Sequence, residues 1–111
     1  IFNTDAPTLI LNPANTKTLA SGKLDLGDVL TQLGNQGINN VLLEAGPRLI
    51  GAMIKGNLID EFIIYMAPIL MGSDANSMLN LVIRNMADKI KLNIVDVKML
   101  GDDIQITATL K

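Results

Sequence analysis

The chain has 111 residues, of which 49% are hydrophobic, and it contains no cysteine and no histidine. This composition excludes disulfides, thiol nucleophiles, Ser-His-Asp triads and ordinary zinc sites, so any metal would have to bind carboxylates alone. The net charge of −2, with scattered Lys and Arg residues, argues against nucleic-acid binding. No apolar run approaches the ~20 residues of a membrane helix. We expect a cytoplasmic α/β domain, or part of one, with no metal site, no nucleic-acid partner and no membrane span.

The first part of the sequence predicts a strand, a loop and an amphipathic helix. Residues 8–11 form a short β-like run, and residues 14–23 are polar and loop-like. Asp25 can cap the helix that follows, and Gly34 or Gly37 can end it. The apolar positions of this helix recur at the spacing of one helical face: Leu26, Val29, Leu30 and Leu33.

The middle of the sequence predicts a parallel β-α-β unit. Residues 41–43 and 62–66 are apolar runs typical of strands that are covered on both faces. Between them, Pro47 suits the first turn of a helix whose apolar stripe runs up to Gly56. Sterics make such a unit right-handed, with its two strands parallel. We expect Tyr65 in the core, with its hydroxyl bonded to a partner at one edge.

The last part predicts irregular chain followed by an antiparallel hairpin. Residues 73–76 are loop-like, and residues 78–86 fit either a short helix or irregular structure. The apolar alternation then shifts phase between Ile94 and Val95, as one extra residue in a β-bulge would produce. After a Gly101-Asp102 turn, apolar and polar residues alternate cleanly to the end of the chain.

The strongest candidate for a binding site is the stretch from Val41 to Ala52. Ligands of open α/β sheets bind at the carboxyl ends of strands, and here a predicted strand end is followed by Glu44, a glycine turn and a helix. The free N–H groups and the dipole of that helix would suit a phosphate beside Gly46. Arg48 could add a charge-assisted contact. Gly51 could let a nucleotide or a neighbouring strand approach the backbone closely.

The residue pattern leaves alternatives open. A Gly-Pro pair before a helix is ordinary punctuation, and the stretch has neither a Walker motif nor a GxGxxG fingerprint. Glu44 either reaches the surface at the strand end or is kept for a ligand, because an unpaired buried carboxylate is costly. The remaining acidic candidates are weaker. Asp74 lies in a loop and could face a site, and four others are most simply turn residues: Asp60, Glu61, Asp102 and Asp103.

Several separated motifs resemble the reductase domain of the bacterial bifunctional riboflavin-biosynthesis deaminase/reductase family. The resemblance runs from about Gly22 to the end, and its motifs are residues 22–26, 41–52, 58–65, 67–68 and 70–75. It implies a dihydrofolate-reductase-like α/β fold of three layers, with a mixed, mainly parallel sheet, flanking helices and a C-terminal antiparallel hairpin. The chain, residues 1–111, would be the C-terminal part of such a domain.

The resemblance also implies an activity, the NADPH-dependent reduction of the ribosyl group of 5-amino-6-(5-phosphoribosylamino)uracil to the ribityl form. It places Glu44 against the substrate and assigns no side chain as a certain catalytic residue. At Arg48, close relatives usually have Thr, so this chain would lose a hydroxyl contact and gain a longer, charged side chain. The resemblance assigns the NADP site to seven consecutive residues: Gly46, Pro47, Arg48, Leu49, Ile50, Gly51 and Ala52.

Partners follow from the same resemblance. They are the N-terminal part of the reductase domain, a zinc deaminase domain and further copies of the chain in a homo-oligomer. We therefore expect these residues alone to be inactive, and the start at Ile1 instead of Met indicates a fragment. Two alternatives remain: a non-catalytic dimerisation or interaction module, which the high apolar content favours, and a related reductase acting on another pterin or pyrimidine.

Overall fold

The structure is a computed structural model, and it describes residues 6–110. The chain divides into two compact units, Ile1–Leu42 and Leu43–Lys111. The first unit contains helix α1 (Leu26–Asn35). The second contains helix α2 (Pro47–Lys55), strand β1 (Glu61–Met66), a 3₁₀ helix (Met86–Asp88), and strands β2 (Leu92–Leu100) and β3 (Asp103–Leu110). Neither α-helix in the described part of the chain is long and apolar enough to cross a membrane.

Helix α1 begins and ends as local signals predict. The Asp25 carboxylate accepts hydrogen bonds of 2.9 and 3.2 Å from two backbone N–H groups of the first turn. Gly37, at φ +82°, follows the helix, and its N–H donates to Gly34 at 2.9 Å. The N–H of Ile38 donates back to Leu33 at 3.2 Å. This pair of bonds is a Schellman motif, so Gly37, and not Gly34, ends the helix.

Side chains of α1 hold the preceding loop in place. Asp28 Oδ2 accepts from the backbone N–H of Lys17 at 2.9 Å and from Gln32 Nε2 at 2.9 Å. Gln32 Nε2 also donates to the carbonyl of Asn15 at 3.0 Å. The bond from the Lys17 N–H, followed by the bond from Gln32, holds the pKa of Asp28 below its usual value. An ion pair to Lys17 Nζ at 3.8 Å adds a smaller effect in the same direction.

Two predicted strands do not form. Residues 8–11 and 41–43 lie outside any strand, and Val41 and Leu42 are 49% and 78% exposed, not buried on both faces. The physical reason is that a run of three or four residues makes few ladder hydrogen bonds, and strands are ordered only against neighbours. In the described residues neither run has a β-partner.

The parallel β-α-β unit and the mainly parallel sheet are therefore not confirmed. All paired strands in residues 6–110 are antiparallel, in the order β1-β3-β2. The chain thus remains α/β in content, with a small antiparallel sheet. The dihydrofolate-reductase-like fold of three layers also remains an expectation.

The predicted bulge and hairpin are confirmed. Strands β2 and β3 pair around a turn at Gly101, whose φ of +61° suits glycine. The register shifts between Ile94 and Asp96, which leaves Val95 as the extra residue. The shift is the physical cause of the phase change in the apolar alternation, because one unpaired residue reverses the faces of those that follow.

One face of the sheet is apolar on all three strands. In the registers, Ile106 lies opposite Ile64 on one side and Val97 on the other. Opposed residues project to the same face. The apolar face consists of Phe62, Ile64, Met66, Leu92, Ile94, Val97, Met99, Ile104, Ile106, Ala108 and Leu110. Ala108 at its centre is fully buried, but Met66, Ile94, Val97 and Met99 are more than half exposed.

Tyr65 lies on the other, polar face, so its predicted place in the core is wrong. It is 61% exposed, and it lies opposite Gln105. The reason is the antiparallel pairing, which puts alternate residues of β1 on a face with the polar residues of β3. The expectation of a hydroxyl partner is confirmed, because Gln105 Nε2 donates to the Tyr65 hydroxyl at 2.7 Å.

Candidate functional site

The residues predicted to contact ligands, Glu44 and residues 46–52, form the turn before α2 and the first half of that helix, all within the second unit. Pro47 is the first helical residue, as predicted, and Gly46 is the N-cap. Asn57, with φ +53°, ends the helix, and the Leu58 N–H donates to Met53 at 2.9 Å. Met53 and Ile54, each 7% exposed, bury one side of the helix. Because this side of the helix is buried, the opposite side of its first turn stays accessible to a ligand.

The N-terminus of α2 has free hydrogen-bond donors. Gly46 provides no side-chain cap, and the first turn contains no acidic residue. Pro47 has no N–H, and the N–H groups of Arg48 and Leu49 have no acceptor among the described residues. A Cβ placed on Gly46 would meet nothing within 4 Å, so the space beside it is open. Free donors, the helix dipole and open space together fit an anionic group.

Helix α1 provides an internal comparison. Its first-turn N–H groups are already bonded to the Asp25 carboxylate, an anion supplied by the chain itself. Helix α2 has no such residue at Gly46. A side-chain cap contributes about 1 kcal/mol to a helix. The second helix lacks this contribution and keeps its donors available to an external anion.

Most of the residues predicted for the cofactor are accessible. Ile50 is half-buried and Gly51 is buried. The exposed residues of the cofactor set are Gly46, Pro47, Arg48, Leu49 and Ala52. Glu44, the predicted substrate contact, is exposed as well. The structure thus brings Glu44 and Arg48 to the same turn, with neither in an ion pair within residues 6–110. The turn presents one carboxylate and one guanidinium, both free to meet a ligand.

Gly51 differs from its neighbours because another part of the chain covers it. A Cβ on Gly51 would overlap the carbonyl oxygen of Asn80 and lie 3.1 Å from its carbonyl carbon. The Asn80 N–H donates to the Pro47 carbonyl at 3.1 Å. Close approach at Gly51 thus occurs, but a loop of the chain makes it, and not the nucleotide or strand that the sequence predicted. Sequence reasoning missed Asn80, because residues 78–86 carry no periodic signal, and only the position of Gly51 hinted at a partner.

The other acidic candidates are all exposed: Asp60, Glu61, Asp74, Asp102 and Asp103. Glu61 and Asp103 are the first residues of β1 and β3, so their predicted place in turns is wrong. In the described part of the chain, no group of three or more acidic side chains could hold a metal ion. A shallow depression of about 550 Å³ lies at the far end of α2, beside Ile54 and Asn57. Among the described residues, the charged side chains that line it are Lys89 and Lys91. The Gly46 turn is the candidate site, because free backbone donors begin the helix there and the exposed Glu44 comes just before it in the sequence.

Comparisons with known proteins give one family. A family model described as RibD C-terminal domain matches residues 1–106. Riboflavin biosynthesis protein RibD of Escherichia coli is 38% identical over 97 residues, which cover 83% of this chain and 26% of the relative. The 5-amino-6-(5-phosphoribosylamino)uracil reductase of Buchnera aphidicola is 32% identical over 90 residues, which cover 80% of this chain and 44% of the relative.

A solved structure agrees with these relatives. Acinetobacter baumannii RibD superposes with a TM-score of 0.73 at 33% identity, over 80% of this chain and 26% of that one. The chain thus spans about a quarter of the RibD proteins and under half of the Buchnera reductase.

Proposed function

Because the chain belongs to the RibD C-terminal domain family, we propose that it forms part of an NADPH-dependent pyrimidine reductase of riboflavin biosynthesis. The enzyme would reduce the ribosyl group of 5-amino-6-(5-phosphoribosylamino)uracil, the compound in the name of the Buchnera relative, to the ribityl form. One observation carries the proposal: the α2 N-terminus has free donors and no acidic residue, and the exposed Glu44 lies just before it.

The cofactor proposal rests on charge and donors. NADPH brings phosphate groups, and the N–H groups of Arg48 and Leu49 would hold one of them at the positive end of the helix dipole. The Arg48 guanidinium would add a charge-assisted hydrogen bond. A Cβ built on Gly46 would meet nothing within 4 Å, which supports a phosphate group at this turn. An anion at a helix N-terminus gains about 0.3–1 kcal/mol from the dipole alone.

Glu44 is the proposed substrate contact. Its carboxylate is exposed, so it keeps its capacity to accept hydrogen bonds from a ligand. Like charges repel, so the Glu44 carboxylate and a phosphate bound at the helix would both disfavour a further anionic group beside them. The amino, amide and hydroxyl donors of the phosphoribosylaminouracil are the groups that Glu44 would orient.

The chemical step is a two-electron reduction. NADPH, when bound, supplies the hydride that the sugar carbon gains, and a proton from solvent completes the reduction. The residues of the chain would accelerate the step by holding the sugar carbon in reach and by electrostatics. Glu44 would also stabilise positive charge on the carbon-nitrogen unit if the opened sugar passes through an iminium.

The chain would need partners for this activity. We propose that the rest of the reductase domain, together with a zinc deaminase domain in the parent protein and a second copy in a homo-oligomer, completes the enzyme. The exposed residues of the apolar sheet face support this, since isolated proteins rarely leave a large contiguous apolar patch uncovered. The same patch is what favours the alternative, a non-catalytic interaction module.

Substrate-dependent oxidation of NADPH tests the proposal. An intact reductase containing this chain is expected to oxidise NADPH with 5-amino-6-(5-phosphoribosylamino)uracil, and the 111-residue chain alone is expected not to. Oxidation only with another pterin or pyrimidine would favour the related reductase. Saturable binding of NADPH distinguishes any reductase from an interaction module, which should show none.

A further inference from the structure

We infer that Gly51 and the main chain of Asn80 form a positioning contact that holds the first turn of α2 ready for the cofactor. The inference rests on the proposed NADPH site and assigns Gly51 a role different from direct cofactor contact. It also gives the Asn80 main chain, but not the Asn80 side chain, a part in positioning that turn, which neither motif nor periodicity indicated.

The contact is made by backbone on both sides. The three heavy atoms nearest to a Cβ built on Gly51 all belong to the Asn80 main chain: its carbonyl oxygen, carbonyl carbon and nitrogen. The carbonyl carbon and nitrogen lie at 3.1 and 3.7 Å. Backbone cannot rotate away from a new Cβ as a flexible side chain can. Any residue larger than glycine at position 51 must therefore displace the loop or the helix.

A hydrogen bond fixes the same loop residue to the start of the helix. The Asn80 N–H donates to the Pro47 carbonyl at 3.1 Å, and Pro47 directly follows Gly46. Asn80 thus contacts α2 at two points one turn apart. Together the two contacts fix the loop against the first turn.

This arrangement replaces a side-chain cap. In α1, the Asp25 carboxylate fixes the first turn but also occupies its N–H groups. In α2, Asn80 bonds to a carbonyl instead, and the N–H groups of Arg48 and Leu49 stay free. The loop therefore stabilises the turn without competing with an anion. Preorganised donors cost less to order when the ligand binds, so the contact should tighten binding.

Two variants disrupt the contact, and two controls leave it intact. Gly51→Ala introduces the clashing Cβ, and Asn80→Pro removes the N–H that bonds to Pro47. Asn80→Ala keeps the backbone and changes only an exposed side chain. Met53→Ala destabilises the same helix through a buried residue away from the contact.

The measurements are the NADPH dissociation constant of the intact reductase, its melting temperature and hydrogen exchange of the Asn80 amide. We expect Gly51→Ala and Asn80→Pro each to weaken NADPH binding roughly tenfold. Gly51→Ala should also speed exchange of the Asn80 amide. Asn80→Ala should bind NADPH like the wild type, and Met53→Ala should lower the melting temperature with little change in binding.

The outcomes separate this inference from the proposed function. Wild-type protein that binds no NADPH would contradict the proposed function. Wild-type protein that binds NADPH, with Asn80→Pro binding equally well, would overturn the positioning role. The same holds if Gly51→Ala loses stability like Met53→Ala but retains affinity. Asn80→Pro keeps the test decisive if Gly51→Ala does not fold, because it changes an exposed loop position.

Discussion

Glu44 and Arg48 carry opposite charges at one turn, and the proposed function gives them different ligands. Both are exposed and neither forms an ion pair in residues 6–110. Arg48 suits phosphate because a guanidinium offers several donors in a fixed plane, whereas Glu44 suits a donor-rich substrate. Substitutions at the two residues should therefore affect different binding steps.

Glu44→Gln should reduce turnover of the substrate without changing the affinity for the cofactor. The change keeps the shape of the side chain and removes its charge, so turnover by the intact reductase should fall roughly a hundredfold, as for loss of one electrostatic group at a reacting centre. The dissociation constant of NADPH should not change. Steady-state kinetics and an NADPH titration measure the two effects. Unchanged turnover and substrate affinity would remove Glu44 from the mechanism.

The hydrogen bonds of Asp28 predict that its contribution to the stability of the first unit is lost in acid. The pKa of Asp28 is lowered chiefly by the hydrogen bond from the Lys17 N–H. The ionised Asp28 side chain therefore stabilises the folded state at pH values above its ordinary pKa of 3.8. This stabilisation is lost as the pH falls through the lower pKa of the folded state. Asp28→Ala should therefore destabilise the chain at neutral pH, and its difference from the wild type should shrink below about pH 3.8.

Urea unfolding at a series of pH values measures this effect. Asp74→Ala, at an exposed loop position, is the control and should leave the pH profile as in the wild type. If the difference in unfolding free energy between Asp28→Ala and the wild type stays constant down to the lowest pH, ionisation of the Asp28 carboxylate does not contribute to stability.

Among the elements, α1 offers a matched pair of glycines. Gly37 has a φ of +82°, whereas Gly34 is helical, and a Cβ on either would meet nothing within 4 Å. Gly34→Ala should raise the free energy of unfolding by about 1 kcal/mol through helix propensity. Gly37→Ala should lower it by about 1 kcal/mol, because L-residues disfavour this backbone conformation. Equal effects of the same sign in denaturant titrations would contradict the assigned C-terminus.

Locally encoded elements could be predicted from the sequence. The cap at Asp25, the first-turn Pro47 and the turn at Gly101 each depend on residues a few positions away. The bulge at Val95 was visible because one extra residue shifts the alternation of a whole strand. These signals need no knowledge of what the segment packs against.

Elements that depend on distant partners could not be predicted. Residues 41–43 have the composition of a buried strand, but a strand needs a neighbour to complete its ladder, and composition does not identify one. Tyr65 stands in an otherwise apolar run of β1, and only the register with β3 places it opposite Gln105. Asn80 contributes backbone atoms alone, so its residue type carries no trace of the contact with Gly51.

At the scale of the whole molecule, the uncovered apolar sheet face is the feature that most needs a partner. On the two outer strands, β1 and β2, four of its residues are more than half exposed: Met66, Ile94, Val97 and Met99. Burying apolar surface gains about 25 cal/mol per Å². We propose that other protein covers this face, because the gain is lost while the face stays in water.

Val97→Lys should weaken association through this face. A charge placed there must be desolvated whenever the face is covered, so self-association of the chain, measured by light scattering over a concentration series, should decrease. Asn93→Lys is the control, because it adds the same charge on the opposite, polar face. If both variants associate like the wild type, the apolar face is not an interface between copies.

The central claim is that the Gly46 turn binds NADPH, and a titration of the intact reductase with NADPH tests it most directly. We predict saturable binding that weakens in Arg48→Ala, with the wild-type advantage shrinking as salt screens the Arg48 charge. Absence of saturable binding in the wild type, or an affinity unchanged by Arg48→Ala at every salt concentration, would contradict the account.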